Sequence, residues 1–78
     1  MNAVRLHARS QRRKELGQKG VKVKPLPERA AVALQWDVTT PLRPWEWWQV
    51  DAEEWTFARD VHAAYRQGVD DANAEKRA

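Results

Sequence analysis

Five tryptophans fall within twenty residues of this 78-residue chain, and two prolines lie among them. The chain contains no cysteine, so no disulfide can stabilise a fold. A chain this short also buries only about 60% of the surface of its unfolded form. The fold must therefore rest on apolar packing or on a partner. Indole serves both purposes, because it is used in small cores and in binding hot spots. The tryptophans are Trp36, Trp45, Trp47, Trp48 and Trp55.

The charges are unevenly distributed along the chain. Residues 1–24 contain eight basic residues and one acidic residue, a net charge of +7, whereas residues 25–78 contain six basic and ten acidic residues, a net charge of −4. This asymmetry predicts a basic N-terminal arm, 1–24, attached to a small tryptophan-rich body, 25–78. The basic residues of the arm are Arg5, Arg9, Arg12, Arg13, Lys14, Lys19, Lys22 and Lys24.

The arm has good helix formers but little to bury. We expect a frayed helix over about residues 3–16, ended by Gly17 or Gly20 and firmer when bound. Its guanidinium groups are suited to phosphate oxygens, although an acidic protein surface would attract them equally, and a merely solubilising tail is the alternative. The apolar residues of the arm, Val4, Leu6 and Leu16, do not form one helical stripe.

The next segment allows two interpretations. Residues 21–27 predict an extended boundary because Pro25 and Pro27 exclude a helix interior. Beyond it, Pro27 at a first helical position, Glu28 in the first turn and three alanines favour a short helix over residues 28–36. The alternation of Val32, Leu34 and Trp36 would instead suit a strand.

The last element has the clearest pattern. Asp51 followed by Glu54 predicts an N-cap with an acidic residue at the third helical position, and we expect a helix over residues 52–75. Gly68 is its one weak position, which allows either close packing or fraying. The apolar stripe comprises Trp55, Ala58, Val61, His62, Tyr65, Val69 and Ala72.

The tryptophans after the proline break are the least determined feature. Pro41 and Pro44 prevent a long helix from passing through residues 41–50, so we expect an extended segment or a single helical turn. Its indoles either wrap the final helix as core or anchor a partner, whereas Trp36 and Trp55 are expected inside. The residues expected to anchor a partner here are Arg43, Trp45, Trp47 and Trp48.

No catalytic pattern is recognisable. The three glycines match no phosphate-binding loop, and His7 and His62 are too few for a histidine-rich site. His62 on a helix is expected to be structural rather than a metal ligand. We therefore expect neither an enzyme nor a cofactor, and the outward Asp60, Asp70 and Asp71 argue against a groove-reading helix.

Together these patterns predict a mainly α single domain that is soluble, cytoplasmic and not bound to membrane, with its oligomeric state undetermined. Its expected function is that of a regulatory or adaptor protein that docks on a larger protein or nucleoprotein machine, such as the transcription apparatus, with possible phosphate contacts by the arm. The alternative is a low-specificity nucleic-acid-binding or structural subunit of an assembly such as a ribosome. In size and charge alone the chain resembles small phage accessory proteins that redirect host transcription, or small ribosome-associated proteins.

Overall fold

The computed structural model describes residues 1–36 and 51–77, and its architecture is mainly helical. Within these two ranges, three helices follow in chain order: α1, Asn2–Glu15; α2, Glu28–Ala33; and α3, Ala52–Arg77. The predictions for residues 41–50, including Arg43, Trp45, Trp47 and Trp48, lie outside the described residues. None of the three described helices combines the length and hydropathy that a bilayer crossing requires.

Helix α3 begins where the capping pattern predicts. Asp51 Oδ1 accepts hydrogen bonds from the backbone N–H groups of Glu53 at 2.8 Å and Glu54 at 3.2 Å. Two of the free donors of the first turn are thereby satisfied. The Glu54 carboxylate lies 3.6 Å from the guanidinium of Arg29, and this contact joins α3 to α2.

Helix α1 matches the predicted bounds closely, but it packs as part of the domain. It lies along α3, and the bonds Arg5–Asp71 and Arg9–Glu75 both join residues 66 apart, so the two helices run in the same direction. Val4 and Ala8 are buried at a spacing of four. The expectation of a frayed arm considered only the valine and the leucines of the arm as residues to bury, whereas Ala8 is also buried.

A glycine ends α1 by a Schellman motif. Gly17 adopts φ +83°, a left-handed conformation that costs glycine little. Its N–H donates to Lys14 O at 3.0 Å, and the N–H of Gln18 then donates to Arg13 O at 3.1 Å. The predicted stop at Gly17 is confirmed, and it turns the chain so that residues 18–24 can pass beside α1.

The segment after Pro27 is helical rather than extended. Ala30 and Ala33 are buried at a spacing of three, whereas Val32 is 53% exposed. The alternation seen in the sequence therefore does not produce two strand faces. The helix ends at Ala33, three residues before the predicted end. Pro27 is the N-cap, not the first helical residue, with ψ 137°.

Among the described residues, the buried core consists mainly of small side chains from the three helices. Val61 is its one large side chain that is fully enclosed among the described residues. Trp36 is partly buried and packs against this core. Trp55 is also partly buried but does not belong to the residues packed on the core, so neither tryptophan lies fully inside as expected. The buried cluster comprises Val4, Ala30, Ala33, Ala58, Val61 and Ala64.

Close packing of α1 on α3 depends on Gly68. A Cβ built at this position would lie 2.2 Å from Arg5 O and 2.8 Å from Ala8 Cβ, both inside ordinary contact distance. Ala64 and Ala72 flank Gly68 one turn away on each side and are buried too. Small residues at a spacing of four thus let two backbones approach, and the weak position predicted at Gly68 is a packing requirement.

Candidate anion-binding groove

The arginines of α1 point toward α3 and bond to its polar side chains. Arg5 forms a bidentate pair with Asp71, with Nε–Oδ2 at 2.6 Å and Nη2–Oδ1 at 3.0 Å. Asp71 therefore faces α1, and the prediction that it points outward is wrong. These hydrogen bonds lower the pKa of Asp71 and raise the pKa of Arg5. Arg12 Nε donates to Asn73 Oδ1 at 3.0 Å, and Arg12 Nη1 donates to Glu15 Oε2 at 3.1 Å.

Two further arginines share a single carboxylate. Arg13 Nε donates to Glu75 Oε2 at 2.7 Å, and Arg9 Nη2 donates to the other oxygen, Oε1. The hydrogen bond from Arg13 lowers the pKa of Glu75 most, and the one from Arg9 adds to it, against the opposing effect of burial. One negative charge therefore faces two positive charges, and the cluster keeps a net charge of +1.

The four lysines of the predicted arm differ from the arginines. Their side chains are exposed, and none pairs with a carboxylate within the part of the chain that the structure describes. Three of them come from the loop that follows the Schellman turn, whereas Lys14 lies near the end of α1. The four are Lys14, Lys19, Lys22 and Lys24.

A groove of about 380 Å³ separates α1 from residues 18–24, and we call it the basic groove. Among the described residues that line it there is no acidic side chain and no aromatic ring; the remaining lining is Leu6, Ser10, Gln18, Gly20 and Val21. Its cationic lining is Arg9, Arg13, Lys19, Lys22 and Lys24.

Ser10 and His7 hold one wall of the basic groove in place. The buried Ser10 hydroxyl accepts the N–H of Lys24 at 2.9 Å and donates to His7 O at 2.8 Å. His7 Nδ1 lies 2.7 Å from Lys24 O, and because a carbonyl only accepts, His7 must donate from this nitrogen. The N–H and the carbonyl of Lys24 are thus both bonded to α1. This fixes the C-terminal end of residues 18–24, which we call the lysine loop.

A second groove lies between α2 and α3 and has a different character. It has a volume of about 410 Å³ and includes Val32, Trp36 and Phe57 in its wall. Arg29 covers part of it, with its guanidinium carbon 4.3 Å from the centre of the Phe57 ring. Cation and carboxylate occur together at its rim, so this groove lacks the single sign of charge that marks the basic groove.

His62 has a structural position, as the sequence suggested. Its Nε2 lies 3.2 Å from Ala33 O, and the hydrogen bond that it donates there ties α3 to the end of α2. In the described ranges, 1–36 and 51–77, no three histidine or acidic side chains group closely enough to hold a metal ion.

The structure thus separates the residues that the sequence grouped as one basic arm. Arg5, Arg9, Arg12 and Arg13 bond to side chains of α1 and α3, whereas the lysines point to solvent. The sequence did not indicate that Ser10 and His7 anchor the lysine loop, because both bond to backbone groups of Lys24, which is 14 and 17 residues away. A local sequence pattern cannot predict such a bond.

No protein-family model matches the chain, and neither the search of curated proteins nor the search of solved structures found a significant match.

Proposed function

We propose that this protein is a non-catalytic regulatory or adaptor protein that docks on a larger machine handling nucleic acid, such as the transcription apparatus. The observation that carries the proposal is the basic groove, which five cationic residues line without a carboxylate among the described lining residues. Surfaces of one charge sign steer polyanionic partners and raise association rates. A nucleoprotein machine presents such a polyanion together with protein surfaces.

The tryptophans after the proline break belong to the same proposal. Trp45, Trp47 and Trp48 remain the candidate anchors for a protein surface, since large aromatics concentrate binding energy in small interfaces. They lie outside the described residues, and their role is a prediction from sequence, as is that of Arg43. A protein anchor and a phosphate contact on one chain would allow it to bind at a junction of protein and nucleic acid.

The composition of the basic groove favours a second candidate function. Lysine is depleted at the centres of protein interfaces and common in phosphate contacts, and three of the five groove cations are lysines. A low-specificity nucleic-acid-binding subunit of a nucleoprotein assembly, such as a ribosome, would use the same groove with no protein anchor.

Capture from a lysate of the cells that make the protein, with and without nuclease, distinguishes the two candidates. The adaptor proposal predicts that a tagged full-length chain retains subunits of one nucleic-acid-handling complex after nuclease treatment, as identified by mass spectrometry. Retention that disappears entirely with nuclease supports the second candidate. Capture of no nucleic-acid-handling complex under either condition would refute both.

A matched pair of variants assigns the capture to the groove. The groove variant carries Lys19→Gln, Lys22→Gln and Lys24→Gln. The control variant carries the same loss of charge at exposed positions that do not line the groove, Arg29→Gln, Arg59→Gln and Arg66→Gln. In capture without nuclease we expect the groove variant to lose the complex and the control to keep it, because only the groove variant changes the basic groove.

A further inference from the structure

The structure assigns the basic groove to the phosphodiester backbone of a nucleic acid, bound without regard to base sequence. The inference rests on the proposed function, because it names the part of a nucleoprotein that this groove contacts. It goes beyond that function by giving the ligand chemistry and the residues that supply it. The groups that bind phosphate are the ammonium groups of Lys19, Lys22 and Lys24 and the guanidinium groups of Arg9 and Arg13.

The arginine pair supplies fixed positive charge at one wall. Arg9 and Arg13 both line the groove, and Glu75 uses one oxygen for each of their guanidinium groups, so only one of the two positive charges is cancelled. Each guanidinium has five N–H donors, and a single carboxylate shared between two of them leaves donors unoccupied. Arg9 Nε is buried and has no hydrogen-bond partner within the described residues, so Arg9 can reach an anion only through its terminal nitrogens.

The opposite wall supplies flexible cations on a fixed backbone. Lys24 is bonded to Ser10 and His7 through its N–H and its carbonyl, and the turn at Gly17 fixes the other end of the loop. The long side chains of Lys19 and Lys22 project from this anchored segment. Such a wall can follow a chain of phosphates whose spacing varies, which suits a backbone better than one rigid ligand.

The lining also indicates what the groove does not recognise. No aromatic ring lines it in the described part of the chain, and its one amide side chain is Gln18. The groove therefore offers few side chains that could stack on bases or make bidentate base contacts. Binding through phosphate alone predicts similar affinity for different sequences and a strong dependence on salt.

Fluorescence anisotropy of the full-length chain with a labelled 12-nucleotide single strand tests the assignment. A labelled duplex and unlabelled inorganic phosphate as competitor form the other arms. We expect binding of the strand and the duplex that changes little with sequence and resists competition by millimolar phosphate. For the groove variant we expect roughly hundredfold weaker binding at about 0.1 M salt, and a slope of log affinity against log salt reduced by about 2 for the single strand, since each phosphate contact contributes about 0.7.

The control variant makes the test specific to the groove. It removes the same charge from positions that do not line the groove, so we expect its affinity to stay within about threefold of the unmodified chain, a change that net charge alone can cause. Equal losses in the two variants would overturn the inference, and so would absence of binding to either nucleic acid.

The outcomes also separate this inference from the function on which it rests. Suppose that the groove variant loses a nuclease-resistant complex and that the purified chain binds no nucleic acid. The groove would then bind an acidic protein surface, so the adaptor function would stand and the inference would be wrong. Groove-dependent nucleic-acid binding without any nuclease-resistant complex would support the inference and refute the adaptor function.

Discussion

Replacement of Gly68 by alanine tests the packing of α1 on α3 most sharply. The new Cβ would lie 2.2 Å from the Arg5 carbonyl oxygen, 2.8 Å from Ala8 Cβ and 3.0 Å from the Arg9 nitrogen. Ordinary contact begins at 3.4 Å. To restore it, α1 and α3 must separate by roughly 1 Å at this point. Because two of the three atoms belong to the backbone of α1, no side-chain rotation can relieve the contact.

Two opposing effects determine the sign of the change in stability. Alanine is a better helix former than glycine by about 1 kcal/mol, which favours the variant. Overpacking in a rigid contact costs about 1–3 kcal/mol. Separation of the helices also weakens the burial of Ala8, so the upper part of that range applies. We expect a net loss of about 2 kcal/mol, a large fraction of the stability of a domain this small.

Urea denaturation followed by far-UV circular dichroism measures this loss, and the melting temperature should fall by roughly 10 °C. The neighbouring Gln67 is exposed and provides a control. Gln67→Ala should change stability by less than about 0.5 kcal/mol. A combined Ala8→Gly change should not restore stability, since the carbonyl contact remains. If Gly68→Ala instead stabilised the protein by about 1 kcal/mol, helix propensity alone would be acting and the close approach of the helices would be refuted.

Three other features of the structure are also testable: the ion pairs of Asp71 and Glu75, the bond from Lys24 to Ser10, and the turn at Gly17. Because the pKa values of Asp71 and Glu75 are lowered in the folded state, their contribution to stability is complete above the unfolded-state pKa values of about 4 and is lost as the pH falls through the folded-state values. Thermal melts in increasingly acidic buffer should show this loss of stability. The Asp71→Asn variant should lose less stability over the same pH range. Ser10→Ala should cost about 1 kcal/mol and speed hydrogen exchange at the Lys24 amide, because the Lys24 N–H loses its acceptor; unchanged exchange would refute the anchor. Gly17→Ala should cost about 1–2 kcal/mol in urea denaturation, since an L side chain is strained at φ +83°, and a neutral result would contradict the Schellman turn.

Local signals in the sequence predicted the ends of the helices well. The cap at Asp51 and the stop at Gly17 depend on bonds between residues two to five apart, and such bonds can be recognised from residue type alone. The long periodic stripe gave the last helix its type and nearly its length. Between residues 28 and 36 the helix interpretation was correct, because buried alanines three apart outweigh an alternation of larger residues.

The packing of α1 was not predicted, because its contacts join residues more than sixty positions apart. A signal was nevertheless present. Arg5, Arg9 and Arg13 recur every four residues, and Asp71 and Glu75 share that spacing, so one helical face of arginines matches one face of carboxylates. The overall charge asymmetry suggested a free arm, whereas part of the opposite charge on the body pairs with the arginines of α1.

The candidate site changed for the same reason. Sequence alone could not separate arginines that pair within the domain from lysines that remain exposed, since both contribute equally to a count of charge. The loop of Lys19, Lys22 and Lys24 became the more specific candidate only when the bonds of Ser10 and His7 were known.

An NMR titration tests the basic groove most directly: an unlabelled 12-nucleotide strand is added to the isotope-labelled full-length chain, and the amide and arginine side-chain chemical shifts are followed. Phosphate binding in the basic groove predicts the largest shift changes at the backbone amides of residues 18–24 and at the guanidinium signals of Arg9 and Arg13. Little change is expected along the outer face of α3 at Arg59 and Arg66. Largest shifts on that outer face, or no shift in residues 18–24 at saturating nucleic acid, would contradict it.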